Sequence, residues 1–447
     1  MQRPLPFILL ITSLTAFNAC GSANGDTTMN AIAPCEITLA AHPNNTKGGE
    51  KIDQEIARIQ QDIRSNAKPF QTNALIEKLG WRFIEKARVS FDPGFYKLAE
   101  QCALCLKSKE GEKQTANRAL STPDSIHSAA LLLRGHALHN MHRFAESERI
   151  ARELVERRGL AYDFGLLGDA LIEQGKMDEA VAAYQKMMEM RPGPQAYSRA
   201  AHVRWLKGDT EGARVLMQMA AQAAGQGDPE SAAWAWSKLA IYELQAGRLK
   251  QAHAMCDAAL QMQSNYAPAL LARGRALLAE NKTSEAVATL ERAAQLNPLP
   301  EYQWTLADAM RAASRDDEAV KVESQLAATG PANDPRTYSL FLATGGQQSD
   351  AALKLAEEEL KARRDIYTLD ALAWAQAANG NANEAWKTMQ SALALGTKDA
   401  RLYLHAASIA AQAGETRQAK IYAGKAAKTE SALLPGERIR LRQLKTV

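Results

Sequence analysis

Past its N-terminal leader the chain contains no run approaching the ~18 consecutive apolar residues of a membrane helix. The remainder is therefore expected to fold in water. It also lacks an excess of either charge, with 54 basic against 50 acidic residues and a net +4. A balance of that kind gives no clustered basic face, which excludes nucleic acid as an expected partner. Cysteine is sparse: setting Cys20 aside, the remaining four (Cys35, Cys102, Cys105, Cys256) are an even number that permits disulfides and specifies none. No glycine-rich phosphate loop, HExxH or GxSxG elbow occurs. The acidic groups Glu357-Glu358-Glu359 and Asp316-Asp317 fall on helix surfaces or in turns, where solvated charge is ordinary. No enzymatic activity and no cofactor are expected.

A recurrent spacing is present instead. A turn residue followed five positions later by alanine occurs at Gly175–Ala180, Gly208–Ala213, Gly247–Ala252, Asn281–Ala286, Gly346–Ala351, Gly380–Ala385 and Gly414–Ala419. The turns recur at about the period of paired-helix repeats. A unit of that length cannot bury its own apolar face, so the units must stack into a solenoid. Two units carry a fuller pattern: Gly168, Ala180 and Pro192, and again Gly274, Ala286 and Pro298. Each glycine lets two helices approach, and the alanine on the second helix fills the facing hole with Tyr184 or Leu290 beside it. Each proline ends the second helix, because the residue before it is pushed out of the helical region. One unit is irregular: Arg315 stands where the turn glycine is expected, and Ala319 arrives one residue early.

With those positions in register the chain resembles the tetratricopeptide repeat family. The resemblance implies an all-α fold, a right-handed α-α superhelix of about eight to nine helix pairs. The array spans 125–431, with a weaker, divergent repeat and a loop in 51–124 and a capping helix over 432–447. Ile52, Ile56, Ile59 and Ile63 mark one face of a helix leading into the array. In the cap, Ile439, Leu441 and Leu444 are its apolar positions, and Arg438, Arg440, Arg442 and Lys445 are read as a solvated face. The stretch from Asp365 to Trp374 and that from Gly396 to Leu402 resemble segments of exported bacterial members of the family without defined activity.

The N-terminus carries an address. Arg3 precedes a short apolar stretch from Leu5 to Phe17, too short to span a bilayer and of signal-peptide length. Phe17-Asn18-Ala19-Cys20 resembles the lipobox of bacterial lipoproteins, whose cysteine is acylated and becomes the mature N-terminus. Ser22, rather than Asp, then favours the periplasmic side of the outer membrane. Ordinary cleavage after Gly21-Ser22-Ala23, giving a soluble periplasmic or secreted protein, is the alternative. On this reading 1–19 is the signal peptide, 20–50 a flexible tether, and the lipid the sole membrane attachment.

The resemblance implies that the first helix of each pair lines a concave groove for a protein or peptide partner. Mapping that register places Tyr162, Arg199, His202, Trp205, Trp234, Lys238, Arg275, Tyr367, Trp374 and His405 near it, and aromatic and cationic groups suit a peptide. Arg199, Lys238 and Arg275, from three successive repeats, would grip a carboxylate. The family's Lys and Asn clamp pattern is absent, so chaperone-tail binding is not inferred. Trp205 and Trp234 read equally as groove or inter-repeat core, whereas Trp236 and Trp304 read as core. The favoured function is thus an exported, lipid-anchored interaction scaffold of the bacterial cell envelope. The alternative is a periplasmic metal-binding or delivery protein using His136, His139 and His142, at steps of three on one helix, with Cys102 and Cys105. Against it, the histidines also suit a solvated helix surface and the cysteines a buried packing face.

Overall fold

The computed structural model describes residues 34–40, 50–65, 69–90, 92–108, 123–346 and 348–444. The leader, Cys20, most of the expected tether, the 109–122 loop and Lys445 lie outside them. Among the described residues the regular structure is helical throughout, which bears out the all-α superhelix. It begins with α1 (Pro34–Leu39), α2 (Glu50–Ser65), α3 (Pro69–Ser90) and α4 (Gly94–Ser108). Five pairs follow: α5 (Pro123–Asn140) and α6 (Phe144–Arg157), α7 (Ala161–Glu173) and α8 (Met177–Met190), α9 (Pro194–Leu206) and α10 (Thr210–Ala224), α11 (Pro229–Gln245) and α12 (Leu249–Met262), α13 (Ala267–Ala279) and α14 (Thr283–Leu296). Four more complete the array: α15 (Pro300–Ala312) and α16 (Asp316–Asn333), α17 (Pro335–Gly345) and α18 (Ser349–Ala362), α19 (Ile366–Ala378) and α20 (Ala382–Leu393), α21 (Ala400–Gln412) and α22 (Thr416–Lys428). The final helix is α23 (Pro435–Leu444). None of the described helices is long and apolar enough to cross a membrane.

The turn rule has a backbone cause. The turn residue adopts a left-handed conformation, with φ from 59° to 82° at His142, Gly175, Gly208, Gly247, Asn281, Ser314, Gly346, Gly380 and Gly414. The unit thought irregular is regular: Ser314, not Arg315, makes its turn, so Ala319 keeps the five-residue offset and is fully buried. His142 does the same between α5 and α6, and Ser147 fills the alanine position with its hydroxyl donated to Gly135 O at 3.0 Å. The Gly346 turn departs from the rule. Ala352 rather than Ala351 is the buried residue there. Gly168 and Gly274 are close approaches, and their neighbours are Tyr184 and Leu290, from which a Cβ would stand 2.3 Å and 2.5 Å.

Two N-terminal features differ from expectation. The segment read as a flexible tether contains α1, and a disulfide joins its Cys35 to Cys105 of α4, 70 residues away. Gln60 of α2 also donates to Thr38 O at 2.8 Å. The isoleucine face of α2 packs as expected, with Ile52, Ile56, Ile59 and Ile63 all buried.

The superhelix closes on itself every twelve helices. Arg364 N–H donates to Glu173 O at 2.8 Å, joining the loop before α19 to the end of α7. Thr397 Oγ1 donates to Leu206 O at 2.5 Å, joining the loop before α21 to the end of α9. Ser431 Oγ donates to Leu244 O at 3.0 Å, joining the segment before α23 to α11. Last-turn carbonyls have no partner within their own helix, and here the next superhelical turn supplies one. The approach is close enough to dictate residue type. At Gly208, φ is +73° and a Cβ would lie 2.3 Å from Gly396 O, so both conformation and space require glycine.

The terminal helix is more than a cap. The guanidinium of Arg438 donates to Leu278 O at 3.1 Å and to Leu433 O at 3.0 Å. Arg440 donates to Thr344 O at 3.2 Å and lies 5.0 Å over the Trp374 ring. Leu441 is buried while Ile439 is 51% exposed. Two of the arginines read as a solvated face are therefore docking groups, because α23 lies against the last turn of the superhelix instead of facing water.

Candidate functional site

Closure turns the expected groove into a lumen. Its walls are mostly the odd-numbered helices, each giving a stripe of residues three or four apart, the spacing of one helix face. On α9 the stripe is Gln195, Arg199, His202 and Trp205; on α11 it is Ser231, Trp234, Lys238 and Tyr242. With Asp169 and Glu173 of α7 and Tyr367 of α19 they enclose an inner chamber of about 650 Å³. An outer chamber of about 920 Å³ adjoins it toward α3 and α5 and shares Arg88, His139, Asp169, Gln195, Arg199 and Ser231.

The inner chamber has a rigid aromatic wall. Trp205 and Tyr242 stack at 4.6 Å with planes 10° apart. Trp205 donates its indole N–H to Tyr367 Oη at 3.0 Å. The indole is only 4% exposed, so it presents an edge to the cavity while anchoring the wall. Trp234 is 38% exposed and offers its ring more openly.

The charges are mostly spent internally. Arg199 makes a two-pronged pair with Asp169, Nε to Oδ1 at 2.7 Å and Nη2 to Oδ2 at 2.5 Å, and Tyr184 Oη adds a third bond at 2.9 Å. Burial opposes charge on Asp169, but the adjacent guanidinium outweighs it and holds the carboxyl at about 2. Glu173 pairs with Arg363. Glu230 pairs with Arg88 at 3.4 Å. Asp399 caps α21 through Leu402 N–H at 3.0 Å and accepts from Gln245 at 2.8 Å. Lys238 differs: it lies 5.9 Å from the Trp234 ring centroid and has no ion-pair partner among the described residues.

Seven of the ten groove candidates line this lumen. Arg199, His202, Trp205, Trp234, Lys238 and Tyr367 line the inner chamber, and Tyr162 lines the outer one. Tyr162 carries the Arg191 guanidinium 5.1 Å from its ring. The other three are placed elsewhere. Arg275 pairs with Glu301 at 3.2 Å. Trp374 and His405, 3% and 2% exposed, stack at 4.1 Å, and His405 Nδ1 meets Asp370 Oδ1 at 2.9 Å. Arg440 of α23 lies over the Trp374 ring, and His405 is buried in its stack with Trp374. The grip by three cations is likewise corrected, since Arg199 and Arg275 are paired within the chain and only Lys238 is free to meet a carboxylate.

The metal candidates do not converge. Cys105 is in the disulfide, so its sulfur is not a ligand, and Cys102 is fully buried as a free thiol. His136 stands 5.3 Å edge-on to Trp81, and burial pushes its pKa down to about 4. His139 packs edge-on at 5.2 Å to Phe144, and His142 stacks on the same ring at 5.5 Å. Among the described residues no three His, Cys, Asp or Glu come together as a metal site. Of the tryptophans read as core, Trp304 is 7% exposed and Trp236 is partly buried.

Several lining residues escaped the sequence reading. Asp169 was recoverable, because it lies seven positions after Tyr162 on the same helical stripe. Arg88 and Glu230 were not, since nothing local marks a pair formed between helices eight apart.

Models of the tetratricopeptide repeat match residues 132–196, 166–229 and 243–308. No curated protein matches. Among solved structures the chain is similar to PilF of Pseudomonas aeruginosa, at 17% identity over 50% of this chain and 99% of that one, with a TM-score of 0.40. It is similar to the human IFIT1 dimer with PPP-AAAA, at 14% identity over 77% of this chain and 78% of that one, with a TM-score of 0.46. A tetratricopeptide repeat protein of Parabacteroides merdae is 12% identical over 62% and 97%, with a TM-score of 0.37.

Proposed function

We propose that this chain, which belongs to the tetratricopeptide repeat family, is an exported interaction scaffold of the bacterial envelope. Acyl chains on Cys20 hold it to the periplasmic side of the outer membrane, and it binds an extended segment of a protein partner in its lumen. Tetratricopeptide repeats make scaffolds for protein–protein interaction. The observation that carries the site is the lumen itself: seven side chains on four helices (α7, α9, α11 and α19) line two adjoining chambers of ligand-binding size. Chambers of about 650 and 920 Å³ have room for a chain segment and not for a folded domain. Export is supported by the leader sequence and by the Cys35–Cys105 disulfide, since such bonds persist in oxidising compartments.

A photo-crosslinking residue at position 234 tests the reading in intact envelopes. One reproducible protein partner is the expected result, lost when Trp205 and Arg199 are replaced by alanine in a protein that still melts cooperatively. Unchanged capture by that variant removes the lumen from the interaction. Mass spectrometry of the mature N-terminus tests the anchor. A triacylated Cys20 is expected, and an unmodified terminus beyond it ends the lipoprotein reading.

A further inference from the structure

The inner chamber holds one cation without an ion pair among the described residues. Its four carboxylates, Asp169, Glu173, Glu230 and Asp399, each have a partner from the chain. Among the lysines and arginines lining the two chambers, Lys78 and Arg82 pair with Glu55, Arg88 with Glu230 and Arg199 with Asp169. Lys238 alone among them has only a ring face for company. Its side chain is exposed, yet protein surrounds it, because the water it meets is the water of the lumen. His202, on the neighbouring stripe, is exposed to the same space.

Flat apolar surface lies beside that charge. Trp234 precedes Lys238 by one helical turn and is 38% exposed. Tyr242 follows Lys238 by one turn on α11 and stacks on Trp205, which the bond to Tyr367 holds in place. A chamber of about 650 Å³ falls within the range of small-ligand and peptide side-chain pockets, ~300–1,000 Å³. Three of its carboxylates are ion-paired and Asp399 is held by hydrogen bonds from Leu402 N–H and Gln245, so each negative group an entering anion meets already has a partner.

We propose that the inner chamber is a recognition site for an anionic group carried next to a planar apolar group, with Lys238 as the counter-charge and Trp234 as the stacking face. A small aromatic acid and a peptide pairing an aromatic with an acidic residue share this chemistry. The proposal rests on the lumen being the binding site, but not on the ligand being a protein. Burial pushes the Lys238 pKa down, and an anion beside the ammonium favours its charged form. Arginine and aromatic groups elsewhere in the wall fix geometry and do not compete, since Arg199 is committed to Asp169.

The test uses 1-anilinonaphthalene-8-sulfonate, a planar fluorescent anion, with the full mature chain. The expected result is saturable binding at one site, weakened about tenfold or more by Lys238→Met and restored by Lys238→Arg, as an ion pair beside a ring face implies. Trp234→Ala weakens it comparably, while the thermal melt of each variant shows that it is folded. Indole-3-acetate and a doubly blocked Gly-Trp-Asp-Gly peptide are then offered as competitors. Displacement by the first identifies a free acid as the ligand source, and by the second a peptide. Absence of saturable binding, binding indifferent to Lys238→Met, or failure of both competitors overturns the proposal. Those results leave the crosslinking experiment untouched, and missing crosslinks with an intact dye site would overturn only the protein-scaffold reading.

Discussion

The indole of Trp205 and the phenol of Tyr367 meet at 3.0 Å, 162 residues apart in sequence, and this bond ties one superhelical turn to the next. Tyr367→Phe keeps the ring and removes the acceptor, leaving a buried N–H without a partner. That omission costs about 1–3 kcal/mol. Urea unfolding at fixed pH measures it as a lower midpoint, with an unchanged slope if only stability has altered. Loss of the dye-binding chamber alongside would show that the wall depends on this bond.

Gly208 and Gly380 separate closure from strain. Both have positive φ, +73° and +82°, but only Gly208 faces a neighbouring backbone; nothing lies within 4 Å of a Cβ at Gly380. Gly380→Ala therefore carries only the left-handed penalty, about 1–2 kcal/mol. Gly208→Ala adds an overlap with the Gly396 carbonyl and is expected to cost at least about 1 kcal/mol more. Hydrogen exchange should quicken around residues 396–400 in the Gly208 variant alone. Equal behaviour of the two would mean that the turns are not in contact.

These examples mark how far the sequence could be read. Repeat units, buried alanines and lumen-facing stripes follow from short periodicities, and each periodicity reports a local backbone rule. Ser314 and His142 were harder because the left-handed turn is a conformational demand, which glycine meets most often but not always. Closure was not legible at all. Whether Thr397 reaches Leu206 depends on small rotations summed over twelve helices, and no single residue records that sum. For the same reason Trp374 and His405 looked like groove residues, although Arg440 of α23 lies over the Trp374 ring and His405 is buried in its stack with Trp374.

The disulfide ties α1 to α4 across a loop of 70 residues. Removing it by Cys35→Ser with Cys105→Ser should lower stability by about 2–4 kcal/mol, mainly through the greater freedom of the unfolded chain. The reducing agent dithiothreitol should shift the wild-type midpoint in the same direction and leave the double variant unchanged. Alkylation before and after reduction, with peptide mass mapping, should find Cys35 and Cys105 protected in protein taken from envelopes. If both are already free there, the bond does not form in the compartment where the protein lives.

The last prediction concerns protons. Burial against Trp81 drives the His136 pKa from its ordinary 6.5 down to about 4; Asp169 pulls it up, while Arg199 and His139 push it down further. Between those values the unfolded chain binds a proton that the folded chain refuses. Stability supplied by neutral His136 is therefore complete above pH 6.5 and is lost as the pH falls toward 4. Asp308 opposes this trend. Burial raises its carboxyl from 3.8 to about 6 although Gly436 N–H donates to it at 3.1 Å, so the folded state gains stability as the pH falls from 6 toward 3.8. Each group is isolated by substitution. His136→Gln should flatten the decline on the acid side of pH 6.5 relative to wild type, and Asp308→Asn should steepen it below pH 6. Denaturant midpoints at half-unit pH steps from 7 to 4 give both differences. A His136→Gln profile parallel to wild type would place that imidazole in water instead of against Trp81.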